Sequence, residues 1–377
     1  MRVVVTGASG NVGTALRRVL AGLGADVVCV ARRVPEDAAE PSPATNAAGP
    51  GPAGSAVGPG AAGGAAGLGA AGSAAAEAWV SCDVGAPAAD VVLRDVFAGA
   101  DAVVHLAWAV QPGSGDPPMR RTNLDGSAHV LAAAAGVPHV VVASSVAAYA
   151  PARHVVDETW PCRGVPGSAY SRQKARLEHL LDQYDGAPVA RIRPCAVVQP
   201  DAGAELDRWA LSPLVPPGLL RKPWLPVPLW SGLRAQVVHA DDVARAIVVI
   251  LRHRAQGAFN VAGEPLLDAD DLARVFGGFR LPVPLPVLTA LAWPTWRLGL
   301  QPLHPGWLRL ADQASIVDTT RLRTLGWEPR HDAREALAEF VAAVAQGRGS
   351  WGPLAPHGGP RLGRLGWGRP VHQSQGG

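Results

Sequence analysis

The stretch Arg2 to Leu23 reads RVVVTGASGNVGTALRRVLAGL. Arg2 to Thr6 is a β-branched, apolar run, the composition of a buried strand. From Asn11 to Leu23, apolar residues fall at Val12, Leu16, Val19, Leu20 and Leu23, the spacing of one helix face. Between strand and helix stand Gly7, Gly10 and Gly13, spaced G-x-x-G-x-x-G. A loop of this kind has a physical use. Its glycines permit a tight turn, a close approach of backbone to a pyrophosphate, and close packing of helix on strand. The helix start adds free N–H groups and a positive dipole end. Gly7, Ser9, Gly10, Asn11, Val12 and Gly13 are therefore candidate cofactor-binding residues. In a chain with 44 glycines the triplet means little by itself; its position after a strand and before a helix gives it weight.

Outward from this unit, strand and helix patterns alternate. Strands are expected at Asp26–Ala31, Trp79–Cys82, Ala102–Leu106, His139–Ala143 and Val189–Ile192. Helices are expected at Val91–Phe97, Arg120–Ala135 and Ser168–Tyr184. Such alternation implies right-handed crossovers and a parallel sheet covered on both faces. The fold class is thus α/β: a Rossmann-type doubly wound parallel sheet, with a smaller C-terminal substrate lobe and two disordered low-complexity segments. The dinucleotide-binding domain is expected over residues 1–200. It is interrupted by an insertion over 36–77 whose Ala, Gly, Pro and Ser cannot bury enough apolar surface to offset chain entropy. Residues 201–345, where prolines crowd Pro213–Pro228 and Pro282–Pro305, form the lobe and return late elements to the first domain. Residues 346–377 form a Gly-, Pro- and Arg-rich tail.

A formal net charge of +3 with no Lys/Arg run implies no nucleic-acid partner. Trp351 and Trp367 sit in the Arg-bearing tail, which reads as solvated low complexity. Cys29, Cys82, Cys162 and Cys195 form neither a CxxC pair nor a metal spacing, so reduced thiols and no metal are expected. The chain opens on a strand-like run rather than a signal peptide. Leu281 to Leu300 is apolar but broken by four prolines and Arg297, so no membrane span is expected and the protein reads as cytoplasmic.

The end of the second strand selects between cofactors. An acidic residue there holds the ribose 2′-OH of NAD, whereas arginine suits the 2′-phosphate of NADP. The chain reads Val30-Ala31-Arg32-Arg33, so Arg32 favours NADP over NAD, although Glu36 follows closely. Asp83, with Val84 beside it, follows the third strand and is placed for the adenine edge.

Tyr170-Ser171-Arg172-Gln173-Lys174 lies on an expected helix, where residues four apart share a face. The chain has only two lysines and three tyrosines, so this pairing is hard to obtain by accident. A free phenol, with a pKa of about 10, is a poor base at neutral pH. A nearby ammonium and an oxidised nicotinamide lower that value. Lys174 can hold the nicotinamide ribose while tuning Tyr170. Ser144 and Ser145 end the fifth strand at the carboxyl edge, where a hydroxyl can bond the reacting oxygen.

These residues resemble the extended short-chain dehydrogenase/reductase family, in its NAD-dependent epimerase/dehydratase branch, along nearly the whole folded chain. TGASGNVG is similar to TGxxGxxG, and His105-Leu106-Ala107 to the HxAA-type end of strand four. Asn123 in TNLDGSAHVL resembles the asparagine of NxxGTxNxL, and SSVAAYA resembles SSxxVYG, which makes Ser145 the catalytic serine. Tyr170 and Lys174 match YxxxK, and Arg193-Pro194 matches RPxxVYGP. The segment from His239 to Ala244, Phe259-Asn260-Val261, and Asp318 to Trp327 are similar to further motifs. The resemblance implies Ser145, Tyr170 and Lys174 as catalytic residues. It also implies Leu106, Ala107, Asn123, Tyr170, Lys174 and Pro194 around the cofactor, and a homodimer through the helices of Asn123 and Tyr170. Three features depart from the family: the insertion, VVQP in place of VYGP, and Val146-Ala147 where 4,6-dehydratases carry Asp-Glu. The last argues against water elimination.

The expected activity is NAD(P)-dependent hydride transfer on a carbonyl or alcohol carbon of a small molecule. The Pro/Trp/Leu-rich stretch from Leu281 to Trp307 points to an apolar substrate pocket and so to a carbonyl reductase. The alternatives are a nucleotide-sugar epimerase with tightly bound NAD, for which Arg208, Arg221, Arg234 and Arg309 would bind a diphosphate, and a non-catalytic NAD(P)-binding regulatory protein.

Overall fold

A computed structural model describes residues 1–34, 77–110, 119–203, 218 and 220–348. The glycine-bearing unit is β1 (Arg2–Thr6) followed by α1 (Asn11–Gly22). Next come β2 (Asp26–Ala31), β3 (Glu77–Ser81), α2 (Ala89–Phe97) and β4 (Ala102–His105). A turn of π-helix over Arg121–Asp125 leads into α3 (Gly126–Ala133), then β5 (Val140–Ala143), α4 (Ala169–Asp182) and β6 (Val189–Pro194). The chain continues through β7 (Ala196–Val198), β8 (Pro226–Leu229), β9 (Arg234–Ala235), β10 (Val237–His239), α5 (Ala240–His253) and β11 (Gly257–Val261). The last elements are β12 (Leu267–Asp268), α6 (Ala269–Val275), β13 (Phe279–Pro282), α7 (Leu285–Arg297), α8 (Pro305–Gln313), α9 (Thr320–Arg323) and α10 (Ala333–Ala345).

Seven strands form one parallel sheet in the order β3-β2-β1-β4-β5-β6-β11. The strand order reverses between β1 and β4, and the crevice outside the carboxyl ends of these strands is where such sheets bind ligands. The valine runs make this possible, because strands buried on both faces need no polar alternation. Val3 and Val5 pack with Leu16 and Leu20 of α1 and Val243, Ile247 and Ile250 of α5. Val4 packs on the opposite face with Leu93 and Phe97 of α2, Val130 and Leu131 of α3, and Leu177 and Leu181 of α4. A third apolar core, including Trp230, Leu267, Leu272, Leu337, Phe340 and Val341, belongs to the later part of the chain.

Several expected boundaries move. The third strand begins at Glu77, a residue the sequence assigns to the insertion. Glu77 ion-pairs with Arg17 at 2.6 Å, which fixes it to α1. Leu106 lies beyond β4, and α4 is shorter than Ser168–Tyr184 because Ser168 caps it, accepting from the Ser171 N–H at 3.3 Å. Gln346 to Arg348 close off α10 rather than opening the tail, with the Arg348 N–H donating to Ala343 O at 2.8 Å. The insertion before Glu77, Glu36, Arg208, Pro213 and the tail beyond Arg348 with Trp351 and Trp367 lie outside the described residues. Among the described residues, no helix is long and apolar enough to cross a membrane.

Asp242 joins α5 to the segment that leads into α10. Its fully buried carboxylate accepts from the Arg330 N–H at 2.8 Å, the His331 N–H at 3.1 Å and His331 Nδ1 at 3.0 Å, and it also pairs with Arg245. Replacing Asp242 by Ala removes all of these bonds from half-buried or exposed donors, and should cost about 1–3 kcal/mol. Urea denaturation of the variant measures it.

Candidate active site

The phosphate loop is built by steric necessity. Gly7 has φ of 75°, and a Cβ there would lie 2.6 Å from Ala107 N. Leu106 and Ala107 thus press their backbone against the loop, in the crevice between β1 and β4. A Cβ on Gly13 would collide with Gly7 O, whereas one on Gly10 would stand 3.2 Å from the same oxygen. Only the first and third glycines are strictly required by packing. Helix α1 has no side-chain cap and no acid in its first turn, so its N–H groups are free for an anion. Asn11 at its start donates to Val197 O at 3.2 Å and accepts from Gln199 Nε2 at 2.8 Å. Ser9 is buried and Val12 half-buried in the same loop. These features fit a dinucleotide pyrophosphate.

The three candidate catalytic residues come together at the carboxyl edge. Ser145 follows β5; its Oγ accepts from the Ala147 N–H at 3.1 Å and donates to Pro194 O at 3.3 Å. Tyr170 opens α4. Burial pushes its phenol up, and a hydrogen bond with Ser145 pulls it partly back. Lys174, one turn on, is buried; its Nζ donates to Ala143 O at 2.8 Å and lies 3.4 Å from the centre of the Trp108 ring. Burial pushes the Lys174 ammonium well below its usual range, and Glu178 opposes that. Lys174 therefore addresses Ala143 and Trp108. The contact that tempers the Tyr170 phenol comes from Ser145.

A buried ion pair fixes the rotation of α4. Glu178, one turn beyond Lys174, receives Arg193 Nε and Nη2 of β6, both at 2.8 Å, in a bidentate pair. Arg191 adds a bond to Glu178 Oε2 at 2.9 Å. Arg193 Nη1 donates to Tyr149 OH at 2.7 Å, Tyr149 OH donates to Asn260 Oδ1 at 2.8 Å, and Asn260 Nδ2 donates to Asp318 O at 3.0 Å. Segments of four separate sequence motifs thus share one network. Burial would raise the Glu178 carboxyl, but Arg193 holds it below the usual range.

Asn123, expected near the cofactor, is hydrogen-bonded to the chain around it. Its Oδ1 accepts from the Ala109 N–H at 2.6 Å, and its Nδ2 donates to Ala109 O at 2.9 Å and Gln173 Oε1 at 2.6 Å. The side chain is 1% exposed. His105 stands behind it. Ser127 Oγ donates to Asn123 O at 2.6 Å, so it accepts from His105 Nε2 at 2.9 Å, and Thr6 Oγ1 donates to His105 Nδ1 at 2.7 Å. Burial lowers the His105 pKa to about 3, so the ring is neutral.

Asp83 accepts from the Gly85 N–H at 3.1 Å and from Arg121 at 2.7 Å, while Val84 is buried against Gly126. Arg32 is exposed at the end of β2 and makes no ion pair among the described residues. Pro194 is buried and lends its carbonyl to Ser145. The stretch from Leu281 to Trp307 departs from the expected pocket. Its helix α7 buries no residue, and only its end reaches the site, where the Trp307 and Tyr170 rings lie 5.4 Å apart. Gly167, in the loop before Tyr170, abuts Arg309 of the same helix, α8, as Trp307. Among the described residues His239, Asp241 and His331 have metal-capable atoms within 4.8 Å of one another. Asp241 is paired with Arg18 at 3.0 Å, and both imidazole Nδ1 atoms are already hydrogen-bonded.

Trp108, Glu178, Tyr149 and Trp307 escape a reading of the sequence alone. Only Glu178 carries a local signal, as the third member of the Tyr170, Lys174 series at four-residue spacing.

The family model of the NAD dependent epimerase/dehydratase family matches residues 3–262. An uncharacterized protein of Mycobacterium tuberculosis, Rv2047c, is 27% identical over 91% of the chain, and the chain spans about 30% of that relative's length. MoeE5, solved with UDP-glucuronic acid and NAD, superposes with a TM-score of 0.61 at 20% identity, covering 92% of this chain and 100% of that one. UDP-glucose 4-epimerase of Thermus thermophilus, solved with NAD, gives 0.60 at 20% identity, covering 92% and 99%. At this identity the likeness shows a shared fold.

Glu178→Gln should destabilise the protein by about 3–5 kcal/mol, because it leaves Arg193 buried without a counter-charge. The folded carboxyl is depressed, so its contribution is present above the unfolded value of about 4.3 and is lost as pH falls through the folded value. Urea midpoints of wild type and variant should differ at neutral pH and converge below it.

Proposed function

The chain belongs to the NAD dependent epimerase/dehydratase family, and on that premise we propose that it transfers hydride between a nicotinamide dinucleotide and a carbonyl or alcohol carbon. One observation carries this reading: Tyr170 opens α4 one helical turn before buried Lys174, near Ser145 and beside a glycine cradle fit for pyrophosphate. Tyr170 exchanges its phenolic proton with the substrate oxygen, and Ser145 hydrogen-bonds that oxygen. Lys174 orients the nicotinamide ribose. The nicotinamide, when bound, supplies or accepts the hydride. A protonated phenol at Tyr170 suits donation to a carbonyl undergoing reduction. The Trp307 ring against Tyr170 offers that carbonyl an apolar wall, so a carbonyl reductase is the favoured activity. Arg32 at the end of β2, without an ion pair among the described residues, supports NADP as the cofactor. The enzyme is taken to be cytoplasmic and homodimeric through α3 and α4.

A second reading, a nucleotide-sugar epimerase that retains NAD, is favoured by the UDP-sugar named for MoeE5 and by the Arg309 cation beside the loop before Tyr170. Nucleotide released on denaturing the purified protein separates the two: NAD in stoichiometric amount belongs to the epimerase, and an empty site with NADPH-dependent carbonyl turnover to the reductase.

Tyr170→Phe should lower kcat by about 10²–10⁴-fold while dinucleotide affinity holds, as expected for loss of a proton donor. Unchanged turnover in steady-state assays would contradict Tyr170 as the proton donor, and no turnover by either protein would return it to the non-catalytic class. Arg32→Asp should move preference from NADPH toward NADH by about tenfold or more, the usual strength of a charge-assisted phosphate contact, measured by fluorescence titration of both.

A further inference from the structure

Helix α7 reads LPVLTALAWPTWR and contains no Asp, Glu, Lys, Asn or Gln. A surface helix ordinarily turns an apolar stripe to the core and polar residues to water. Here the inward stripe includes half-buried Leu285 and Leu288, which rest against the core of the later elements. The outward stripe of Val287, Ala290, Leu291 and Pro294, continued by Leu298, is also apolar, and all five residues are exposed. Its two threonines give nothing to solvent either. Thr289 Oγ1 donates to Leu285 O at 2.9 Å and Thr295 Oγ1 to Leu291 O at 2.7 Å. Internal satisfaction of hydroxyls is what a medium without hydrogen-bonding partners requires.

The exposure is concentrated here. Of fourteen exposed large apolar side chains among the described residues, seven lie between Phe279 and Leu300. Trp224, exposed by 60%, stands next to β8, the strand that pairs with β13. A contiguous apolar surface of this kind marks an interaction site.

Charge selects the occupant. Residues 272–311 contain four arginines and no Asp or Glu. Arg274 and Arg280 are paired with Asp271 and Asp270. Arg297, in the last turn of α7, has no carboxylate partner among the described residues and lies 5.4 Å from the centre of the Trp293 ring. The sequence beyond Arg348 adds Arg361, Arg364 and Arg369 and again no acid. A second copy of this face would bring arginine to arginine. Tryptophan and arginine on an apolar helix are instead the side chains that settle at lipid headgroups. Thirteen residues span too little length to cross a bilayer.

We infer that α7, with β13 leading into it, lies flat on an anionic phospholipid surface. Val287, Leu291, Trp293 and Leu298 enter the acyl boundary, and Arg297 meets the headgroups. The same stretch runs on into α8, whose Trp307 ring lies 5.4 Å from that of Tyr170.

Flotation of the full-length protein with vesicles tests this. Binding is expected to vesicles that mix phosphatidylcholine with phosphatidylglycerol, to weaken with added salt, and to be weak on phosphatidylcholine alone. The double substitution Leu291→Glu, Leu298→Glu should lower the bound fraction at least about tenfold. Arg297→Gln, the milder second variant, should reduce binding to anionic vesicles selectively. Both change exposed side chains, and melting temperature and dinucleotide affinity should hold. No flotation on anionic vesicles, or flotation indifferent to these substitutions, overturns the inference. So does a wild-type dimer in sedimentation that the double substitution converts to monomer, which would give the face to a second copy.

Discussion

The bidentate pair between Glu178 and Arg193 is the interaction on which the site's geometry depends. Helix α4 is a cylinder lying on a sheet, and apolar contacts from Leu177 and Leu181 alone would tolerate small rotations about its axis. Two parallel bonds of 2.8 Å to a strand residue do not. Because Tyr170, Lys174 and Glu178 follow one another at four-residue spacing, fixing the last fixes the first two. A buried pair of this kind is weak evidence for added stability, since an apolar substitute of equal volume can do as well. Its value here is directional. It also reaches further than α4, because Arg193 continues through Tyr149 and Asn260 to Asp318 and so holds β6, β11 and the late chain in one register.

The opposite wall of the crevice is set by exclusion. Gly7 and Gly13 leave no room for a side chain, so the turn from β1 into α1 presses against Ala107 and keeps the helix start bare. Between this wall and α4 lies Trp108, whose ring covers Lys174 in a cation–π contact. Neutral His105 braces the floor through Thr6 and Ser127 and stays neutral across the whole working pH range. The chain has thus built a tightly packed glycine turn on one side of the crevice and an aromatic cover over Lys174 on the other.

Much of this is legible in the sequence. The alternation of valine runs and amphipathic segments carries the parallel sheet, because period and burial are local properties. The placement of Gly7, Gly13, Tyr170 and Lys174 is legible because each lies within a local pattern of strand, turn and helix. What stays hidden depends on distant parts of the chain. Arg193 finds Glu178 fifteen residues away only once β6 lies under α4. The bonds of Asn123 to Ala109 and Gln173 are likewise invisible in the sequence. The stretch from Leu281 to Trp307 reads as a pocket because apolar composition ordinarily means burial; the fold turns much of that composition outward.

A crystal structure of the protein with NADP most directly tests the central claim that α4 presents Tyr170 and Lys174 to a nicotinamide. The account predicts pyrophosphate on the start of α1, ribose hydroxyls within about 2.6–3.2 Å of Lys174 Nζ, and Trp108 swung off the ammonium. A dinucleotide bound elsewhere, or a nicotinamide in solvent with Trp108 still over Lys174, would contradict it.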